Sequence, residues 1–163
     1  SVMVLSVAGV MAQGDKSKRP SPPAKVTETT SKGVTITVDY SQPAVKGREI
    51  GKEIAPYGQV WRTGANEATT FEVSKDVKVE GKTLPAGKYG LYTVPGKDQW
   101  VVIFNKKNNL WGSDGYSESD DALRVTVKPG KAPAFTERMT FTIAKTGKVS
   151  LLWGNEEVDF TVL

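Results

Sequence analysis

Short segments in which apolar and polar side chains alternate, separated by turn-forming residues, recur along most of this chain. The clearest covers residues 34–40, where valine, isoleucine and tyrosine alternate with threonine and aspartate. Since successive side chains of a β-strand point to opposite faces, this period of two predicts a strand with one buried face. Alternation returns at 123–127 and 139–143, and 100–104 is continuously apolar. These patterns favour sheets over helices.

Turn signals divide these segments at regular intervals, as at 80–82, 85–87 and 95–98. We expect about eight or nine short strands, the signature of an all-β, antiparallel β-sandwich of jelly-roll-like type, with a closed β-barrel as the alternative. At most one short helix is expected, near 48–55, because Pro56 would end it. A chain of 163 residues without internal repeats favours one folded domain.

The beginning of the chain differs from the rest. Residues 2–12 are almost wholly apolar, too short to span a bilayer, and carry small residues where a signal peptidase cleaves. We interpret 1–12 as the remnant of a secretory signal peptide, 13–25 as a proline-rich polar tether and 26–163 as the domain; a buried N-terminal strand or helix is the alternative for the first segment. This interpretation predicts a periplasmic or extracellular protein without a stable membrane anchor.

The chain contains neither histidine nor cysteine. This excludes disulfides, thiolate nucleophiles, serine–histidine–aspartate triads and zinc sites built from those side chains. The acidic loop at 111–121 could offer oxygen ligands to calcium, but its spacing does not match an EF-hand and a solvated turn explains it. We therefore predict no cofactor and no metal site. The net charge of +4 comes from scattered lysines, which predicts no nucleic-acid partner; protein partners stay unassigned.

Residues 56–71, PYGQVWRTGANEATTF, combine aromatic, charged and amide side chains in a mixture that neither strand nor helix periodicity produces. We expect a shaped loop at one end of the sandwich, where binding sites are commonly built. Arginine offers a planar fork of donors for a carboxylate or phosphate, and aromatic rings offer flat faces for sugars or cations. The candidate ligand-binding residues are Arg48, Tyr57, Trp61, Arg62, Asn66 and Glu67.

A structural explanation of the same loop stays open. Arg62 could pair with Glu67 or Asp39, and Trp61 could close the end of the core. Glycines in the loop would then serve only to permit positive φ angles.

Several long motifs occur in an order that closely resembles the bacterial family called domain of unknown function 2911. The resemblance covers residues 19–163 and implies an exported, all-β domain of Bacteroidota and their relatives, with no activity implied. One departure is GKEIA at 51–55, where the family pattern leads us to expect a bulkier aromatic turn. The motifs include RPSPP at 19–23, VKGREI at 45–50, PYGQVWRTGANEATTF at 56–71, LPAGKYGLYTVPG at 84–96, WVVIFNK at 100–106 and ALRVTVKP at 122–129.

The sequence thus favours a non-catalytic binding module for a small anionic or carbohydrate-like ligand, with no catalytic residue assigned. The first alternative is a carboxylate-dependent glycan hydrolase, in which Glu67 would act with Asp114 or Asp120, because two carboxylates can hydrolyse a glycosidic bond without histidine. The second alternative is a structural or partner-binding envelope protein.

Overall fold

A computed structural model describes residues 18–163, so the predicted signal peptide at 1–12 lies outside the described residues. Residues 18–163 form ten strands and a 3₁₀ turn at Glu118–Asp120, with no α-helix. The prediction of an all-β fold is confirmed. The strands are β1 (Pro23–Thr29), β2 (Thr35–Ser41), β3 (Thr70–Val73), β4 (Val77–Val79), β5 (Lys82–Leu84), β6 (Gly87–Val94), β7 (Trp100–Asn105), β8 (Asp121–Val127), β9 (Pro129–Ile143) and β10 (Lys148–Thr161).

Six strands form one antiparallel sheet in the order β1-β2-β3-β6-β7-β8. Its inner face carries the alternating apolar side chains seen in the sequence, among them Val38, Phe71, Leu91 and Phe104, all buried. Val38 lies opposite Phe71 in the β2–β3 register, and Leu91 lies opposite Phe104 in the β6–β7 register. Burying this face requires a second layer.

The second layer is built from two hairpins. The long strands β9 and β10 pair with each other, and β4 pairs with β5. A bridge between Val79 and Val162, with hydrogen bonds in both directions between Lys78 and Leu163, joins the hairpins. Their inward side chains, such as Phe141 and Phe160, share one core with the large sheet. The result is an open two-layer sandwich rather than a closed barrel.

Two segments differ in detail from the expectations. Residues 48–55 form turns instead of a short helix, because Gly51 and Ala55 adopt positive φ angles of 99° and 47°. Strand β1 already begins at Pro23, so the last residues of the predicted tether belong to the sheet. Proline is tolerated there because β1 is an edge strand.

The outer face of the large sheet is also partly covered. Ala68, Tyr92 and Ile103 form a second buried cluster there, against which Leu110 and Tyr116 pack. We call this group the outer cluster. Its cover comes from the loops at 56–69 and 106–120. Among the described residues no helix is long and apolar enough to cross a bilayer.

Candidate ligand-binding groove

A groove with a volume of about 430 Å³ lies on the outer face of the large sheet. Its floor comes from side chains that point away from the core: Asp39 on β2, Thr70 on β3 and Lys88 on β6. These positions follow from the period of two, since the preceding or following residue of each strand lies in the core. The groove therefore depends on the pairing of β3 with β6, two strands that are neighbours only in the folded sheet.

One wall of the groove is the loop that follows β7. It approaches β6 closely at Gly90, where a Cβ atom would lie 2.4 Å from the carbonyl oxygen of Lys107. The buried Asn105 accepts a hydrogen bond from the Lys107 amide at 3.0 Å. The Asn108 side-chain amide donates to the carbonyl of Lys88 at 3.1 Å, and this fixes Asn108 and its neighbour Asn109 at the edge of the groove.

Glu67 and Trp111 form the rim at one end. The two residues form an antiparallel bridge, and Glu67 lines the groove. Arg19 donates from Nη1 to Oε1 of Glu67 at 2.7 Å and places its guanidinium 5.7 Å from the centre of the Trp111 ring. Trp111 is 61% exposed, which leaves much of a large aromatic side chain in solvent beside the groove.

The groove offers both kinds of hydrogen-bonding group. Asp39 and Glu67 supply carboxylate acceptors, Lys88 supplies a donor, and Asn108 and Asn109 carry amide groups that can do both. Such a mixture suits a ligand whose groups donate and accept at the same atom, as hydroxyl groups do.

A family model described as a protein of unknown function, DUF2911, matches residues 21–162. This chain belongs to the DUF2911 family. Neither the comparison with curated proteins nor the comparison with solved structures found a match. The resemblance stated from the motifs is thus confirmed, and the family description assigns no activity.

Of the six candidate residues in this DUF2911 domain, Glu67 lines the groove. Arg48 lies elsewhere and donates to the backbone carbonyls of Val45 at 3.0 Å and Ala44 at 2.7 Å. Asn66 adopts a positive φ of 59° and donates to the carbonyl of Ser21 at 3.2 Å. Arg48 and Asn66 thus hold backbone segments together in this structure, and the ligand-binding role of the six residues stays a prediction.

Trp61 lies in the core, where it is only 8% exposed. Its ring stacks on Trp153 at a centroid distance of 5.5 Å and meets Trp100 edge-on at 6.2 Å. This placement is the one expected from the structural explanation of the loop, and it offers no open ring face to a ligand. Tyr57 is exposed and packs over Gly51, and burial together with the nearby Glu156 raises the pKa of its phenol.

Arg62 follows Trp61 in the chain and is half-buried. The pairing with Glu67 or Asp39 that the structural alternative allowed is absent, and no carboxylate among residues 18–163 forms an ion pair with Arg62. Burial lowers the pKa of the Arg62 guanidinium, because the charged form loses solvation.

Several carboxylates of the acidic loop at 111–121 are paired with side chains of the loop or of its flanking segments. Asp121 accepts hydrogen bonds from Tyr116 at 2.8 Å and from Arg124 at 2.7 Å, and burial and the Asp121 carboxylate raise the pKa of Tyr116 to about 12. Asp120 forms an ion pair with Lys107 at 3.7 Å. Neither Asp120 nor Asp114 lines the groove beside Glu67. Within the described part of the chain no group of three or more acidic side chains is arranged to hold a metal.

Sequence reasoning missed most of the groove. Thr70, Lys88, Asn108 and Asn109 occur in four separate places in the chain and carry no motif of their own. The sequence signal that could have indicated these residues was their position. Thr70 and Lys88 alternate with core residues on their strands, and Asn108 and Asn109 follow a strand in a loop. Combining them required the strand order, which a sequence with only local alternation does not supply.

Proposed function

We propose that this DUF2911 domain is a non-catalytic binding module whose outer-face groove takes a carbohydrate-like ligand. The single observation that supports this most strongly is the groove itself, whose lining combines carboxylates and amides. The exposed Trp111 is bridged to the lining residue Glu67. A pocket that binds small molecules usually contains a few convergent polar groups beside apolar surface.

The groove has no excess of positive charge that would select an anion. Asp39 and Glu67 contribute two carboxylates, Lys88 contributes one ammonium group, and Arg19 pairs with Glu67 at the rim. A sugar hydroxyl can donate to a carboxylate and accept from the ammonium or amide groups at the same time. The apolar face of a sugar ring would pack on Trp111, as apolar groups pack on aromatic rings.

Asp39 and Glu67 also favour a second candidate function. Two carboxylates that line one groove are the minimum equipment of a glycan hydrolase, one as acid and the other as nucleophile or base. The pair differs from the Glu67 pairings with Asp114 or Asp120 expected from the sequence. Hydrolysis is therefore an outcome that the binding experiment must detect.

The test is a glycan array probed with the fluorescently labelled full chain, followed by calorimetric titration of the best ligand. We expect Asp39→Asn to weaken binding about tenfold or more, because a charged acceptor is lost. Trp111→Ala should weaken binding by a similar factor, since it removes the ring at the rim. Phe135→Ala is the matched control, because Phe135 is an exposed aromatic residue on β9, whereas Trp111 is bridged to the lining residue Glu67.

Chromatography of the same mixtures separates the two functions. Recovery of the intact ligand after prolonged incubation supports the binding module. Recovery of shortened glycans would instead show that the domain is a hydrolase. Equal affinities for Asp39→Asn, Trp111→Ala and the parent protein would contradict the assignment of the groove altogether.

A further inference from the structure

The Glu67–Trp111 pair at the rim of the groove is fixed by backbone hydrogen bonds. The amide that follows Glu67 donates to the carbonyl that precedes Trp111 at 3.0 Å, and the amide that follows Trp111 donates to the carbonyl that precedes Glu67 at 3.2 Å. In an antiparallel pairing, this pattern brings the opposed side chains closest, with Cα atoms about 4.5 Å apart. The backbone therefore holds a carboxylate and a large aromatic ring side by side.

Arg19 reaches this pair from the segment that precedes β1. Its Nη1 atom donates to Oε1 of Glu67 at 2.7 Å, and its guanidinium lies 5.7 Å from the centre of the Trp111 ring. A charge-assisted hydrogen bond to a carboxylate and attraction to an aromatic ring are the two interactions that bind planar cations. The rim pair thus has the chemistry of a cation site, and a side chain of the same chain occupies it.

The segment that carries Arg19, residues 18–22, lies on the surface, and we call it the strap. None of the residues 18–22 is buried. The backbone carbonyls at 20, 21 and 22 accept hydrogen bonds at 2.6, 3.2 and 2.9 Å, but two of the five strap residues are prolines, which have no amide to donate. Segments with few buried contacts open at low free energy, so the strap can leave the rim while the sandwich stays folded.

The contacts of Arg19 are also accessible to a competitor. The side chains of Arg19 and Glu67 are 30% and 43% exposed. An ion pair that water reaches contributes little to stability, and a cation–π contact at an exposed site contributes a similarly small amount. A ligand that makes good contacts with the rim can therefore replace Arg19 at a modest loss of affinity.

We propose that Glu67 and Trp111 form a site for a planar cation, which Arg19 fills as a ligand from the same chain, and that Arg19 thereby competes with the ligand of the groove. The cation site depends on the rim alone. The competition rests on the proposed function, in which Glu67 lines the groove and a sugar ring packs on Trp111. If Arg19 only anchored the strap, a free cation could not take its place.

The first experiment offers a free guanidinium group to a protein that lacks its own. Arg19→Ala empties the rim, and N-methylguanidinium chloride supplies the missing group. The chain has four tryptophans, so ¹⁵N-labelled indole groups give four signals, and Trp111→Phe assigns the one of Trp111. We expect N-methylguanidinium, but not sodium chloride, to shift that signal with saturation in Arg19→Ala. The parent protein should show no saturating shift, because Arg19 fills the site.

Lys145→Ala is the matched control for Arg19→Ala. Lys145 is also the cation of an exposed ion pair, with Glu28 at 3.5 Å, so its removal should leave the response of the parent protein unchanged. Adding Glu67→Gln to Arg19→Ala should abolish the saturating shift, since the carboxylate is lost. Both changes lie outside the core and should leave the domain folded. A Trp111 signal that does not saturate in Arg19→Ala, or saturates equally with Glu67→Gln added, would overturn the cation site.

Calorimetric titration with the glycan that binds best on the array tests the competition. We expect Arg19→Ala to bind about threefold to tenfold more tightly than the parent protein and Lys145→Ala, because no cation has to leave the rim. Added sodium chloride should tighten the binding of a neutral glycan to the parent protein, since salt screens the Arg19–Glu67 pair, and should leave Arg19→Ala unaffected. Equal affinities would overturn the competition, and weaker binding by Arg19→Ala would make Arg19 part of the ligand site instead.

The two experiments separate this inference from the proposed function. If no glycan binds the parent protein or Arg19→Ala while N-methylguanidinium saturates Arg19→Ala, the cation site stands and carbohydrate binding in the groove is refuted. If a glycan binds the parent protein but N-methylguanidinium does not bind Arg19→Ala, the proposed function stands and the cation site is refuted.

Discussion

At the scale of single residues, the aromatic and charged side chains of the 56–71 segment divide between two faces of one sheet. Trp61 stacks on Trp153 in the core, whereas Glu67, six residues later, lines the groove on the outer face. Residues close together in the sequence thus belong to different parts of the domain, the core and the outer face of the sheet. Their chemical types alone indicate a binding loop, and only their burial shows which of them a ligand could reach.

Replacement of Trp61 by alanine should test its place in the core. We expect Trp61→Ala to lower the free energy of unfolding by about 3–5 kcal/mol, because it leaves a large cavity between Trp153 and Trp100. The measurement is urea denaturation followed by circular dichroism. Trp111→Ala is the control, since Trp111 is exposed and its loss should change stability by no more than about 0.5 kcal/mol. A small effect of Trp61→Ala would place the ring outside the core.

Glu156 provides a prediction about pH. Its carboxylate is half-buried and one oxygen lacks a hydrogen-bond partner, so burial raises the pKa of Glu156 above its usual value near 4.5. The folded state therefore holds the proton more tightly than the unfolded state. This contribution to stability is complete below the unfolded pKa and is lost as the pH rises through the folded pKa.

Glu156→Gln removes this titration. Relative to the parent protein, the variant should gain stability as the pH rises above about 4.5, and then keep a constant advantage once the parent carboxylate is ionised. Urea denaturation of both proteins at several values between about pH 4 and 8 measures the difference. A difference in unfolding free energy that does not change with pH would show that Glu156 has the same pKa in both states.

At the scale of elements, alternation predicts individual strands well but not their neighbours. The segments at 100–104 and 139–143 lie in strands, the segment at 34–40 lies in β2 from Thr35 onward, and the turn at 80–82 joins β4 to β5 as the sequence indicates. Sequence order hides the pairing of β3 with β6, because the β4–β5 hairpin lies between them in the chain. That pairing builds the groove floor, so the groove could not be predicted from local patterns.

Gly90 tests how the wall of the groove is held. A Cβ atom at this position would lie 2.4 Å from the carbonyl oxygen of Lys107 and 3.0 Å from the ring of Tyr92. We expect Gly90→Ala to displace the 106–110 loop, to lower the free energy of unfolding by about 1–3 kcal/mol and to weaken ligand binding. Denaturation and calorimetric titration measure the two effects.

Gly130→Ala is the control for Gly90→Ala. Gly130 also lies in a strand, but a Cβ atom there would meet no atom closer than 3.8 Å, so the change should not destabilise the domain. If both variants behaved like the parent protein, the close approach of the loop to β6 would not be needed for the groove.

At the scale of the whole molecule, the large sheet is covered on both faces by different means. The β9–β10 and β4–β5 hairpins cover the inner face and complete the sandwich that the sequence predicts. Loops cover only part of the outer face, and the groove lies where their cover ends. The predicted site at the end of the sandwich is thus replaced, in our proposal, by a site on the face of a sheet.

The most direct test of this account is to locate the ligand on the whole domain by nuclear magnetic resonance. Amide signals of the ¹⁵N-labelled full chain would be followed during titration with the glycan that binds best on the array. We predict that the largest shifts fall at 39–41, 67–70, 88 and 108–111, which together line the groove and its rim. Shifts concentrated at 48–57, or on the β9–β10 hairpin, would contradict a binding site on the outer face of the sheet.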